Sequence, residues 1–438
     1  MECIKKIQIY LFIFYFNILI CGGIFEIPLQ PIKVKGIPKY SNLTIIEPET
    51  KAILNNSITF HEEGDTVINY ECLFLVNVKI GSNSQSFNLL LDTGSSIFWV
   101  ARKGCIGKNN IINRFDPSAS TSCKLTDQPF EMSYGTGYCR GIYYNDNVQY
   151  ISDKKFNIFF GVATYADFRV TGADGIIGLT KSYDTEELSF IHMLKKSGIT
   201  DSLAFSIKFE DDYFKSGVKG TMYIGEHDDF SKDEVKSCPL VFYTNKIFWA
   251  CQLTSFGLKG STYETKSNQN TPIIFDTGTN VIILPTRFLA DIKDDLKNFG
   301  CYIQQNKDYS IYCTNTGDLP DLRFDFNGII LEIPKEYAFY RKTENSNVFI
   351  SFLVFDDSMM AIMGSVFFFL FHTLFDEEKQ EIKFYPLKGK GLSTFVIILI
   401  CITSVAIVVL ITFTICYCIK KRKSDNNTQQ YQYKESWL

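Results

Sequence analysis

One pattern occurs twice in this chain and constrains it more than any other. Leu89-Leu90-Leu91-Asp92-Thr93-Gly94-Ser95-Ser96 returns in the second half as Ile273-Ile274-Phe275-Asp276-Thr277-Gly278-Thr279-Asn280. Each copy reads as a buried strand that breaks into Asp-Thr-Gly followed by a hydroxyl residue. Each is followed by an apolar-apolar-Gly element, Ile176-Ile177-Gly178 and Ile362-Met363-Gly364. Gly94 and Gly178 lie 84 positions apart, and Gly278 and Gly364 lie 86 apart. A single Asp-Thr-Gly carries little information, since turns favour these residues for their own reasons. Two in matching frames, each with a matching distal glycine, indicate two related lobes about a pseudo-twofold axis. That symmetry places Asp92 and Asp276 on equivalent turns facing the axis.

Two carboxyl groups held close together cannot both ionise cheaply, so they share a proton. Such a pair supplies a base to activate water and an acid to protonate a carbonyl oxygen, which is what amide hydrolysis at acid pH requires. The neighbouring residues suit the task. Gly94 and Gly278 let backbone approach without a Cβ, and their amides can donate to the inner carboxyl oxygens. Ser95 and Thr279 can hold the outer oxygens. Thr93 and Thr277 can reach across the axis and tie the lobes together. A buried pair needs this satisfaction on every side.

The rest of the body, from Cys72 to Pro386, reads as short β-rich segments separated by Gly, Asn, Asp and Ser. Examples are Leu73–Ile80, Phe87–Leu91, Phe156–Val162, Leu203–Phe209, Thr221–Ile224, Pro272–Phe275, Ile329–Ile333 and Val348–Val354. Helical patterns are few; Glu187–Lys196 and Arg287–Phe299 are the clearest, the latter ending at Gly300. The expected fold is mainly β, with an N-terminal lobe over 66–205, a C-terminal lobe over 206–388 and the cleft between them. Residues 24–65 hold four of the twelve prolines and little periodicity, and read as a propeptide or leader.

Two apolar stretches give the expected topology. Lys5 and Lys6 precede an apolar run from Ile7 to Ile20 that ends in Cys21-Gly22-Gly23, a signal peptide over 1–23. Leu392 to Ile419 is 28 residues without a charge, more than the ~20 that a membrane-spanning helix needs. Lys420-Lys421-Arg422-Lys423 follows directly and belongs on the cytosolic side, with the tail to 438. The reading is a single-pass type I membrane protein of the secretory or endosomal pathway or cell surface, its β body lumenal or extracellular. Sequons at Asn42 and Asn55 fall on that same side. A net charge of −4 offers no basic field for nucleic acid.

Eight cysteines fall in the lumenal part: Cys72, Cys105, Cys123, Cys139, Cys238, Cys251, Cys301 and Cys313. An even number in an oxidising compartment allows up to four disulfides with ~105 connectivities. Cys301–Cys313 and Cys238–Cys251 are favoured, because each would close a short strand–loop–strand. No Cys/His spacing supports a metal site. The four histidines are scattered and no nucleophile elbow accompanies them, so a Ser-His-Asp mechanism has no support. Gly135-Thr136-Gly137 with Gly141 is not a dinucleotide fingerprint.

In these motifs the chain resembles the pepsin-like aspartic proteases, over roughly residues 66–387. Further matching residues are Phe98-Trp99-Val100, Tyr134-Gly135-Thr136-Gly137, Ala173-Asp174-Gly175-Ile176-Ile177-Gly178-Leu179 and Phe375-Asp376. Ile24-Phe25-Glu26-Ile27-Pro28-Leu29 resembles the start of a family propeptide, and the Lys-, Asn-, Phe- and Tyr-heavy composition resembles the apicomplexan members called plasmepsins. The resemblance implies a bilobed acid-protease fold and a monomeric endopeptidase acting on peptides or proteins without a cofactor. It implies that Tyr134, with Gly135 and Thr136, forms a flap over the substrate and that Tyr134 bonds the Trp99 indole. It further implies a substrate pocket lined by Leu90, Phe168 and Ile176. Three positions depart from the family pattern: Asn280 replaces Ser, Ser365 replaces Asp, and Ala173 replaces a bulky apolar residue. The propeptide lacks the usual basic cluster. Two rival readings are an inactive pepsin-like domain that serves as a membrane-bound binding protein, and a disulfide-braced surface scaffold. The first conflicts with the presence of both aspartates and all four flanking hydroxyls, and the second with two unpaired buried acids.

Overall fold

A computed structural model describes residues 73–387, except 136, 150–154, 171, 181–188, 210–219, 226–227, 242–247, 306–308, 315–318, 342–346 and 358–359. The expected signal peptide, leader, both sequons, Cys72, the 392–419 helix and the tail lie outside the described residues. Among the described residues no helix is long and apolar enough to cross a membrane.

The first half builds a seven-stranded sheet. Its strands are β1 (Leu75–Ile80), β2 (Gln85–Asp92), β3 (Trp99–Ile106), β4 (Lys124–Tyr134), β5 (Gly137–Gln149), β6 (Lys155–Asp167) and β7 (Gly175–Gly178). Their order is β1-β2-β7-β3-β6-β5-β4, with β1 also reaching β5. The end of β2 is apolar without alternation because Leu89, Leu90 and Leu91 are all buried, as suits a strand covered on both faces. β7 runs parallel to β2, pairing Ile177 with Leu91 and Gly178 with Asp92, and antiparallel to β3. Glycine is required at 175, where a Cβ would stand 2.1 Å from the Trp99 carbonyl oxygen.

The second half repeats this centre. Thr271–Phe275 carries the second motif and pairs in parallel with Ile362–Met363, which pairs antiparallel with Ile282–Leu284. In both halves the strand after the motif then runs parallel to a further strand, β6 in the first and Phe349–Phe355 in the second. The sequence repeat is thus a repeat of strand order and direction. A four-stranded sheet (Glu264–Ser267, Ser255–Lys259, Asp321–Phe326, Ile329–Ile333) completes this half.

A further sheet was not foreseen in the sequence. It orders Lys236–Pro239, Glu381–Pro386, Phe371–Asp376, Ala204–Phe209 and Gly220–Ile224 side by side, combining mid-chain strands with the last two. Its core is aromatic: Phe205 stacks on Phe375 at 4.9 Å, and both meet Trp249 edge-on. Phe384 of the same sheet packs at 5.0 Å on Phe275, the residue before Asp276. Fully burying each such ring contributes about 2–3 kcal/mol.

Two expectations need correction. The helix expected over Arg287–Phe299 splits into an α-helix at Thr286–Ile292 and a 3-10 turn at Leu296–Phe299, closed by left-handed Gly300. Asp294 and Asp295 sit where the carbonyl end of a continuing helix would repel them. Cys301 and Cys313 face each other across a hairpin and are bonded, with Cα atoms 4.0 Å apart. Cys238 and Cys251, by contrast, are free thiols. They do not close a hairpin, since their strands belong to different sheets, one pairing with Glu381–Pro386 and the other with Thr271–Phe275, yet they lie side by side, Cys251 Sγ standing 3.9 Å from the Cys238 carbonyl oxygen. Cys105, Cys123 and Cys139 are also free.

Candidate active site

The ends of β2 and of Thr271–Phe275 deliver Asp92 and Asp276 to one buried point. The crossing is reciprocal. A Cβ on Gly94 would stand 2.6 Å from the Asp276 carboxyl carbon, and a Cβ on Gly278 would stand 2.5 Å from Asp92 Oδ1. Each glycine therefore lies against the carboxyl of the opposite half, the close approach for which it was singled out.

Every carboxyl oxygen has a donor from its own turn. The Gly94 amide donates to Asp92 Oδ1 at 2.9 Å and the Gly278 amide to Asp276 Oδ1 at 2.7 Å. The Ser95 hydroxyl donates to Asp92 Oδ2 at 2.5 Å and the Thr279 hydroxyl to Asp276 Oδ2 at 2.7 Å. Thr93 and Thr277 interlock beneath. Thr93 Oγ1 accepts the Thr277 amide at 3.0 Å and donates to the Phe275 carbonyl at 2.8 Å. Thr277 Oγ1 accepts the Thr93 amide at 3.1 Å and donates to the Leu91 carbonyl at 2.7 Å. Both threonines are fully buried.

Burial, and then the negative charge of Asp276 beside it, hold the Asp92 carboxyl well above the usual carboxylate range, against the lowering effect of Ser95 and the Gly94 amide. The pair therefore retains a proton where separate carboxyls would be ionised.

The hairpin β4–β5 brings Tyr134 over the site, its hydroxyl accepting the Trp99 indole N–H at 2.8 Å. Gly135 is exposed at the hairpin turn; Thr136 lies outside the described residues. Leu90, Phe168 and Ile176 gather in one apolar cluster with Trp99 and Ala173, against which Tyr134 packs. Phe168 meets the Trp99 ring edge-on at 5.2 Å. The structure thus gathers the three expected pocket residues in one buried cluster against which the flap tyrosine packs.

Sequence reasoning gave no role to several residues that build this site. Buried Asp174 accepts the Asn88 amide at 2.9 Å and both the amide and side chain of Asn113 at 2.8 Å, which anchors the entry to β7. Trp249 donates to the Leu179 carbonyl at 3.0 Å, linking the two halves behind the dyad. Ser365 donates its amide to Thr279 at 2.7 Å, while its buried hydroxyl has no partner among the described residues. His372 lies between Asp229 and Ser206 at 3.0 and 2.9 Å. That Asp-His-Ser arrangement is sealed, since Ser206 and His372 have no exposed surface, and no substrate reaches it. Among the described residues no group of His, Cys, Asp and Glu is arranged to hold a metal ion.

The family model for eukaryotic aspartyl proteases matches residues 73–387. A vacuolar protease A of Arthroderma otae is 31% identical over 265 residues, covering 58% of this chain and 62% of that protein. A vacuolar protease A of Aspergillus fumigatus is 28% identical over 69% of this chain and 76% of its own length. Pepsin A of Sus scrofa is 26% identical over 71% of this chain and 80% of its own.

Proposed function

The chain belongs to the eukaryotic aspartyl protease family and is an aspartic-type endopeptidase, and we propose that it cuts with a water held between Asp92 and Asp276. The observation that carries this reading is the reciprocal approach of each glycine to the other half's carboxyl, together with the raised proton affinity of Asp92. Carboxyl pairs of this kind have aspartic proteases as their standing example.

The ionised member takes a proton from the water as its oxygen attacks the peptide carbonyl, and the protonated member donates to the carbonyl oxygen. A tetrahedral diol results. Its collapse returns a proton through the pair to the leaving nitrogen, and the dyad regains its single shared proton. The two acids titrate as a unit, so neither has a fixed role before substrate binds. The donors from Gly94, Ser95, Gly278 and Thr279 fix the orientation of both carboxyls. Tyr134 closes over the substrate, and the Leu90, Phe168, Ile176 cluster receives an apolar side chain next to the cut. No cofactor takes part.

We read Leu392–Ile419 with its following basic cluster as a single membrane span, which places the enzyme on the lumenal or outer side and favours limited processing of secretory-pathway proteins. Sealed microsomes, whose outer face is cytosolic, test this: external protease should remove an epitope on the tail while the catalytic body stays protected. For the activity, the purified protein is assayed on peptides from pH 4 to 7, beside Asp92→Ala and Asp276→Ala and with a pepstatin-type inhibitor. Cleavage should vanish in both variants and with the inhibitor. Absence of aspartate-dependent cleavage at every pH would favour a catalytically inactive binding protein instead.

A further inference from the structure

We propose that Tyr165 is a positioning residue of the flap, its ring holding the outer face of the hairpin so that Tyr134 closes in one pose. The inference rests on the endopeptidase reading above, in which Tyr134 covers the substrate.

The ladder shows how the flap is attached. β5 and β6 pair from Gln149 and Lys155 to Tyr138 and Asp167, but the register slips between Arg140 and Gly141. Arg140 faces Tyr165 and Gly141 faces Ala163, so Thr164 is an extra residue on β6. Such a bulge interrupts the ladder and bends the strand. A Cβ on Gly141 would stand 2.1 Å from the Val162 carbonyl oxygen, so the two backbones press together at this point. Beyond the bulge three rungs carry the tip: Arg140 with Tyr165, Cys139 with Ala166, and Tyr138 with Asp167.

Side chains at 138, 140, 165 and 167 share one face of this ribbon, opposite the buried Cys139 and Ala166. On that face Tyr165 touches two rungs at once. The Arg140 guanidinium carbon lies 5.5 Å from its ring centroid, and the Tyr138 ring meets it edge-on at 6.0 Å. Both arrangements are attractive, the cation over the ring face and the second ring at its edge. The Tyr165 hydroxyl donates to Asp167 Oδ2 at 3.1 Å, and Asp167 Oδ1 accepts the Lys108 amide at 2.8 Å. Lys108 follows β3, the strand that begins with Trp99, whose indole holds Tyr134. The tip is thus held from two faces, Tyr134 by Trp99 on one and Tyr138 with Arg140 by Tyr165 on the other. Without the Tyr165 ring the tip keeps its backbone rungs but no fixed lean, and substrate binding must order it each time.

The test compares Tyr165→Phe, Tyr165→Leu and Arg140→Met in the full chain. Phenylalanine keeps the ring and loses only the bond to Asp167, whereas leucine keeps apolar bulk without a ring. The expected kcat/KM is within about twofold of wild type for Phe and reduced roughly fivefold for Leu, the effect of one aromatic pair and one exposed cation–π contact. The loss should fall on KM, because the flap grips substrate and transition state alike. Arg140→Met should cost about twofold alone and nothing further in the Leu background. Hydrogen exchange of the flap amides from Met132 to Cys139 should quicken in Leu but not in Phe, with protection elsewhere unchanged. A Leu variant that matches wild type, a Phe variant as impaired as Leu, or exchange that quickens throughout the sheet would mean that the ring does not position the flap, and would overturn the proposal. Exchange needs no turnover. A wild-type protein without peptidase activity would therefore sink the endopeptidase reading, while the exchange comparison still decided this one.

Discussion

Thr93 and Thr277 exchange hydrogen bonds across the midline, each hydroxyl accepting the other's amide and donating to the carbonyl of the residue immediately before the other half's aspartate. Four buried bonds therefore depend on two side chains. Thr277→Val keeps the shape and removes both of its bonds, leaving the Thr93 amide and the Leu91 carbonyl unsatisfied. The expected cost is about 2–4 kcal/mol, read as a lower denaturant midpoint. A double-mutant cycle with Thr93→Val should show strong coupling; additive effects would mean that the two threonines act independently.

The raised Asp92 carboxyl has a signed consequence for stability. The folded chain holds a proton that the unfolded chain releases near pH ~4, so the folded state binds more protons above that point. This contribution is complete below the unfolded value and is lost as pH rises through the raised folded one. Wild type should therefore grow less stable, relative to Asp92→Asn, as pH climbs from acid to neutral. Parallel unfolding midpoints for the two proteins across that range would contradict the shared proton.

Ala173 stands in the cluster with Leu90, Phe168 and Ile176 where a bulkier residue is usual in the resembling family. A peptide library should show tolerance of large apolar side chains on the residue preceding the cut, and Ala173→Phe should narrow that preference toward small ones. A wild-type profile restricted to small residues would refute the roomier pocket.

The Cys301–Cys313 bond closes a loop of sequence separation 12 between paired strands. A loop of that size is worth ~3 kcal/mol when cross-linked. Replacing both cysteines with serine should lower the unfolding midpoint accordingly, with peptidase activity retained at low temperature, since the hairpin is also held by its own ladder. A midpoint equal to wild type would show the bond to be dispensable.

The proposed catalytic centre was legible because its chemistry is local: Asp-Thr-Gly and one hydroxyl fix the turn, both carboxyl oxygens and the cross-link beneath. The Cys301–Cys313 bond was legible for a related reason, its cysteines being the ends of one hairpin. Cys238 and Cys251 look the same by spacing, yet their strands pair with partners more than a hundred and about twenty residues away, which spacing does not reveal. The extent of the flap strands was also hidden. Lys124–Tyr134 is polar and largely exposed along its length, so it lacks the alternation that marks a half-buried strand.

The sheet that pairs Ser206 with Leu374 joins positions 168 apart. Such pairing pays loop-closure entropy before any contact rewards it, and folds slowly. During synthesis the Ala204–Phe209 strand must wait with an open edge until nearly the whole catalytic body has left the ribosome. Neither half can be finished alone, so nascent chains are committed to chaperone care until the final strands arrive, and a fragment ending before Phe371 is a candidate for aggregation rather than for a smaller enzyme.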